Sequence, residues 1–127
     1  MAADRAPVSL RLARLARLAT HLCRGILIAW LRFPKLSESE RQAETRVWSN
    51  RLLSLLSVSV HEDNLPGKLP ERCMLALNHI SWIDIFVIDA RFPATFIAKS
   101  EIRGWPIVGW LCTLVGTIYI EIGRAHV

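Results

Sequence analysis

Residues 10–24 read Leu-Arg-Leu-Ala-Arg-Leu-Ala-Arg-Leu-Ala-Thr-His-Leu-Cys-Arg, and this pattern restricts the N-terminal quarter of the chain to one kind of element. At about 100° per residue, Arg11, Arg14, Arg17, His21, Arg24 and Arg32 fall within an arc of roughly 140°, with Leu12, Leu15, Leu22, Ile26 and Trp30 on the other side. That is an amphipathic helix with a cationic polar face, and Pro34, lacking an N–H donor, ends it. The longest charge-free run in this stretch, Gly25 to Leu31, has seven residues, against the ~20 apolar residues of a membrane-crossing helix. Neither a long uninterrupted core nor a small-residue cleavage site marks a signal peptide. The segment reads as a helix lying in a membrane interface, apolar side down and arginines among anionic headgroups. The plainer alternative is a surface helix packed on its own domain. Nucleic acid is not expected as a partner, because the aromatic side chains lie on the apolar side and not among the arginines.

The charge balance supports this division of the chain. Residues 1–35 carry a net +6 and residues 36–127 a net −1, within a total of +5 for 127 residues. That length allows one domain and excludes most two-domain enzymes. The abundance of Leu, Ile, Val and Trp excludes a disordered chain. Cys23, Cys73 and Cys112 are too few for a disulfide scaffold and lack metal-ligand spacing. Cys73 and Cys112 read as small buried hydrophobes, in keeping with a reducing, cytoplasmic setting.

Behind residue 35 helical and extended patterns alternate. Ser37 and Glu40 have capping-box spacing and open a helix over residues 38–56, with Val47, Leu52, Leu55 and Leu56 as core candidates. Ser57–His61 alternates with period two and reads as a short strand. Asn64-Leu-Pro-Gly67 has turn chemistry. Cys73–Leu77 is a continuous apolar run of the buried-strand type. Ser81–Ala90 has helical spacing, with Trp82, Ile85, Phe86 and Ile88, and Pro93 breaks it. Thr95–Ala98 reads as a strand, Gly104–Val115 as a helix with Pro106 near its first turn, and Thr117–Ile120 as a last strand. The order implies an α/β fold with a parallel sheet and right-handed crossovers.

Chemistry concentrates at Asn78-His-Ile-Ser-Trp-Ile-Asp84, between an apolar run and a helix, where open α/β sheets place ligands. His79 is the one histidine with a carboxylate, Asp84, placed to orient it across a strand-to-helix turn. Residues five apart diverge by about 140° on a straight helix, so the two meet only if His79 sits on the turn and Asp84 reaches back. A carboxylate so placed fixes an imidazole tautomer and stabilises its protonated form, and the imidazole can then take a proton from a hydroxyl. A purely structural pair in a non-catalytic, membrane-associated protein is the competing reading. No nucleophile elbow and no His-Glu-x-x-His metal motif is present, so no metal or cofactor is expected.

Asn78-His79-x-Ser81-x-x-Asp84 resembles the first sequence block of the glycerophospholipid acyltransferases, most closely the bacterial 1-acyl-glycerol-3-phosphate (lysophosphatidic acid) acyltransferases. Ala98-Lys-Ser-Glu-Ile102, Trp105-Pro-Ile-Val-Gly109 and Gly116-Thr-Ile-Tyr-Ile120 are similar, in order and spacing, to the second block. The resemblance covers roughly Leu10 to Ile120 and implies a partial glycerolipid acyltransferase fold, a mostly parallel sheet flanked by helices, behind an amphipathic N-terminal helix. It implies transfer of a fatty acyl group from acyl-CoA or acyl carrier protein to the sn-2 hydroxyl of lysophosphatidic acid, giving phosphatidic acid. Another lysophospholipid or a lipid A precursor is the alternative acceptor. His79 maps onto the general base and Asp84 onto its orienting carboxylate. Asn78 and Ser81 hold the turn or polarise nearby groups, Lys99 is placed to meet an acidic headgroup or the donor's phosphates, and Gly116 and Tyr119 lie in the acceptor-binding strand. The implied location is the cytoplasmic face of the inner membrane, with membrane lipids and an anionic surface as partners.

The C-terminus departs from the family. Ile122 stands where an arginine is usual, and the third and fourth blocks are absent. Glu121–Val127 matches the translation of a common sequencing-adapter read. The expected organisation is an interfacial helix over residues 1–35, the first part of an acyltransferase domain over 36–121, and an adapter-derived tail over 122–127.

Overall fold

The computed structural model describes residues 7–64, 67–70, 72–121 and 123. The first helix, α1 (Val8–Leu31), ends where expected, and a 3-10 turn over Phe33–Lys35 carries Pro34 and buries Phe33. Helix α2 (Glu38–Leu55) opens on the anticipated capping box. Ser37 Oγ accepts from the Glu40 N–H at 3.4 Å, and the Ser37 N–H donates to Glu40 Oε2 at 2.8 Å.

Helix α2 turns back along α1. The two are joined by Arg32–Glu44 at 2.6 Å and, further along, by His21 stacked on Trp48 with ring centroids 4.7 Å apart. The seam on α1 is the stripe His21, Gly25 and Ala29, spaced four apart and therefore on one face. His21, grouped with the arginines by its position on the helical wheel, is buried in this seam. A neutral imidazole can be buried where a guanidinium cannot. Leu12, Leu15 and Trp30 remain about 60% exposed. Among the described residues no helix is long and apolar enough to cross a membrane.

Helix α3 (Ile83–Arg91) packs on α2. Phe86 tilts against Trp48 at 5.5 Å and meets Trp82 edge-on at 5.8 Å, and Asn50 Nδ2 donates to the Ala90 carbonyl at 3.1 Å. The buried apolar side chains among the described residues are Ala29, Phe33, Leu52, Leu53 and Ala90. Leu52 thus takes its expected place. Val47 is 68% exposed, because it lies off the face that Ser49, Leu52 and Leu53 turn inward.

A short parallel sheet follows. Strands β1 (Ile97–Lys99) and β2 (Ile118–Ile120) pair Ile97 with Ile118, Ala98 with Tyr119 and Lys99 with Ile120. They are connected through a 3-10 turn (Ser100–Gly104) and helix α4 (Val108–Leu114). The order of elements is that of a partial α/β fold behind an N-terminal helix.

Two expected strands are absent from the described residues. Ser57, the residue after the α2 C-cap Leu56, is left-handed with φ 58°, and Val58 and Ser57 donate to the carbonyls of Leu53 and Ser54. This is a Schellman stop, so the backbone at the start of 57–61 closes a helix and enters no ladder. Cys73–Leu77 is also not a strand, and Cys73, Met74 and Leu77 are exposed. An apolar run of this kind is stabilised as a strand only when neighbouring strands take its backbone groups, and the described sheet contains only β1 and β2. The reading of Cys73 as a buried hydrophobe fails with it, whereas Cys112 is half-buried. Asn64 has the left-handed φ of 56° expected of a turn. Leu65 and Pro66 lie outside the described residues, as does the proposed tail apart from Gly123.

Gly25 tests the α1–α2 seam. A Cβ there would run into the Trp48 indole and lie 2.7 Å from its Cε2. Ala ordinarily favours a helix interior by about 1 kcal/mol over Gly. Gly25→Ala is nevertheless expected to destabilise by ~1–3 kcal/mol through overpacking. Gly104→Ala, which has open space around it, is expected to be near neutral. Thermal unfolding of the two variants checks this.

Candidate active site

Seven consecutive residues build the site, and its centre is the Asp84 carboxylate in the first turn of α3. Asp84 Oδ2 accepts from the backbone N–H groups of Ile80 and Ser81, both at 2.8 Å. The same oxygen lies 3.3 Å from His79 Nδ1. The Asp84 N–H donates to the Ser81 carbonyl at 3.0 Å, and Ser81 Oγ accepts from the Ile83 N–H at 3.3 Å. The chain therefore folds back before the helix starts, which is how residues 79 and 84 come into contact.

These bonds also set the charge. The backbone donors at Ser81 and Ile80, and secondarily His79, hold the Asp84 carboxyl below its ordinary value of 3.8. A carboxylate facing Nδ1 favours the tautomer with its proton on that nitrogen, which leaves the Nε2 lone pair available. The His79 side chain is 58% exposed and Asp84 39%, so the imidazole is open to an incoming hydroxyl.

The other expected site residues divide into two groups. Asn78 and Ser81 stand on the same turn, Asn78 exposed and Ser81 bonded as described. Lys99, Gly116 and Tyr119 belong to the β1–α4–β2 unit, and no hydrogen bond or ion pair among the described residues links them to His79 or Asp84. Lys99 Nζ pairs with Glu101 at 2.8 Å. Gly116, with φ 81°, is the left-handed stop of α4, where Thr117 and Gly116 donate to the carbonyls of Cys112 and Thr113. The Tyr119 hydroxyl donates to the Gly109 carbonyl at 3.1 Å and lies 3.1 Å from Thr113 Oγ1, fastening α4 to β2. Among the described residues no three His, Cys, Asp or Glu side chains converge as metal ligands.

A family model described as Acyltransferase matches residues 57–126, a span that includes the whole turn. The chain belongs to the acyltransferase family. It is 39% identical over 119 residues to the lyso-ornithine lipid O-acyltransferase of Pseudomonas aeruginosa, covering 88% of this chain and 45% of that one. It is 32% identical over 127 residues to the 1-acyl-sn-glycerol-3-phosphate acyltransferase of Neisseria meningitidis, covering 95% and 47%. The lyso-ornithine lipid O-acyltransferase of Brucella abortus is 48% identical over 60 residues, covering 46% and 22%. The chain thus spans a little under half the length of the first two relatives. No solved structure matches it.

One titratable residue escaped the sequence reading. Asp89 looks like an outward-facing helical carboxylate, but it is buried. Loss of water pushes its carboxyl up to about 6 against a weaker opposing hydrogen bond from the Ala94 N–H at 3.4 Å. Its position on the buried face, next to Ala90 and one turn beyond Phe86, was the available signal.

The two carboxyls act on stability with opposite signs. Asp84, whose folded pKa is lowered, contributes stability above the unfolded pKa near 4 that is lost as pH falls through the folded value. Asp89, whose folded pKa is raised, keeps its proton in the folded state up to about pH 6, so stability falls as pH rises from about 4 to 6. Asp84→Asn is expected to remove the acid-side loss. Asp89→Asn is expected to stabilise the fold at pH 7 by an order of 2–3 kcal/mol. Denaturant midpoints of both variants between pH 3 and 7 measure the two effects.

Proposed function

We propose that the chain carries the base-bearing part of a lysolipid O-acyltransferase, in which His79 deprotonates the acceptor hydroxyl. The observation that supports this most directly is the contact of His79 Nδ1 with an Asp84 oxygen already fixed by two backbone donors. His79 Nε2 takes the hydroxyl proton, and the oxygen attacks the carbonyl carbon of an acyl-CoA or acyl carrier protein thioester. The C–S bond breaks, and the departing thiolate receives the proton from the imidazolium. An ester and a free thiol result, with no covalent acyl-enzyme. Asp84 stabilises the transient imidazolium across its 3.3 Å contact. Asn78 and Ser81 hold the turn, and Lys99, Gly116 and Tyr119 are assigned to the substrate-binding side.

The acceptor implied by the motif blocks is lysophosphatidic acid. A second acceptor, lyso-ornithine lipid, is favoured by the 39% and 48% identities to enzymes named for it. The exposed Leu12, Leu15 and Trp30 of α1 and its adjoining arginines support a seat on an anionic membrane surface, at the cytoplasmic face where acyl-CoA and acyl carrier protein are available.

In the protein that carries this chain, His79→Ala is expected to lower acyl transfer by ~10²–10⁴-fold, the usual contribution of a general base, with the circular dichroism spectrum unchanged. Retained turnover in a folded variant would overturn the assigned role. Lysophosphatidic acid and lyso-ornithine lipid assayed side by side with a labelled acyl donor identify the acceptor.

A further inference from the structure

Arg51 of α2 joins Arg17 and Arg24 of α1, with Thr20 and His21 between them, around an open cleft of about 470 Å³ between the two helices, and Leu55 contributes apolar lining. Arg51 has no place in the helical pattern of the N-terminal segment and no role in the acyl-transfer site. Among the described residues, ion-pair contacts engage Arg32 and Arg91, while no carboxylate pairs with Arg17, Arg24 or Arg51. Three guanidiniums from two helices thus face one cleft without a counterion from the described chain. Burial holds the adjacent His21 imidazole below its ordinary value against an opposing hydrogen bond at the Trp48 carbonyl, and the charges of Arg51 and Arg24 add to the lowering. Guanidiniums offer forked N–H donors that match phosphate oxygens. The same helix leaves Leu12, Leu15 and Trp30 exposed, so an occupant with both a phosphate and acyl chains is matched on both counts.

We propose that the α1–α2 cleft is a discrete site for the phosphate of one anionic phospholipid, held by Arg17, Arg24 and Arg51 while the apolar side of α1 lies among its acyl chains. The site rests on the placement of α1 at a lipid surface but is independent of acyl transfer. It differs from general attraction to a charged membrane, to which every arginine of α1 contributes alike.

The 127-residue chain is titrated with phosphatidylcholine vesicles containing 20 mol% phosphatidylglycerol. General attraction costs about fivefold in affinity per cation removed. Arg51→Gln and Arg17→Gln are expected to weaken binding at least tenfold, and Arg14→Gln, on α1 but outside the cleft, no more than about fivefold. Equal losses at all three positions would overturn the site. A second readout uses no bilayer. In the unmodified chain, a short-chain phosphatidylglycerol below its micelle concentration is expected to raise the His21 pKa, followed by NMR, and Arg51→Gln is expected to abolish the rise. A rise with inorganic phosphate alone, matched at the same concentration, would overturn the lipid assignment. No rise with either would overturn the site. If vesicle binding were lost while the short-chain lipid still raised the His21 pKa, the cleft would stand and the membrane seat of α1 would fall.

Discussion

Trp48 joins all three of the helices that carry the described core. Its indole stacks on His21 of α1 and touches Phe86 of α3. The Trp48 Nε1–H donates to the His21 carbonyl at 3.3 Å, and His21 Nε2 lies 3.1 Å from the Trp48 carbonyl, a geometry that requires the imidazole proton on Nε2. The arrangement is demanding because the ring fits against α1 only where residue 25 has no side chain. With five buried apolar side chains among the described residues, the core has little redundancy. A cluster that combines aromatic stacking, a reciprocal pair of hydrogen bonds and a glycine contact sets how α1, α2 and α3 lie together.

The His79–Asp84 turn depends on different physics. Every contact of Asp84 that matters is with a residue at most five positions away. The carboxylate closes the turn by accepting from two N–H groups that lie ahead of the N-cap residue Trp82, those of Ile80 and Ser81, and the same oxygen meets the imidazole. Orienting the imidazole is thus a by-product of ending the preceding segment and starting a helix. The same bonds that organise the backbone keep Asp84 ionised, so the group facing His79 is a carboxylate throughout the range in which an imidazole exchanges protons.

This difference in range accounts for what could be read from the chain. The capping box, the extent of α1, the break at Pro93 and the approach of His79 to Asp84 all follow from residues within one or two turns of each other, and the sequence displays them directly. Long-range packing was less legible. Nothing local distinguishes His21 from the arginines beside it, and its burial depends on Trp48, 27 residues away. Asp89 is likewise buried by the docking of α3 on α2 rather than by its neighbours in the chain. The failure at Ser57 has another origin. Its alternation with Val58 and Val60 suggests a strand, yet the backbone uses a left-handed serine to close α2 as Gly116 closes α4. Glycine announces such a stop and serine does not, because serine must bear the steric cost of positive φ.

The two kinds of contact meet at α3. The turn before it carries His79, its first turn carries Asp84, and Phe86, two residues on, touches Trp48, which in turn is locked to His21. The His79–Asp84 turn is therefore linked to α1 through packed side chains rather than through a loop. On the proposed reading, with α1 on a membrane and His79 as the base acting on a lysolipid, that linkage has a mechanistic consequence. A lysolipid presents its hydroxyl near the surface, and a base mounted on the same packed unit as the membrane helix approaches it in a restricted set of orientations. Binding energy released along α1, where Leu12, Leu15 and Trp30 are exposed, then contributes to orienting His79, as positioning does in any bimolecular reaction made effectively unimolecular. A flexible connection would let α1 bind just as well and contribute nothing to that orientation. The Trp48 cluster is what makes the difference.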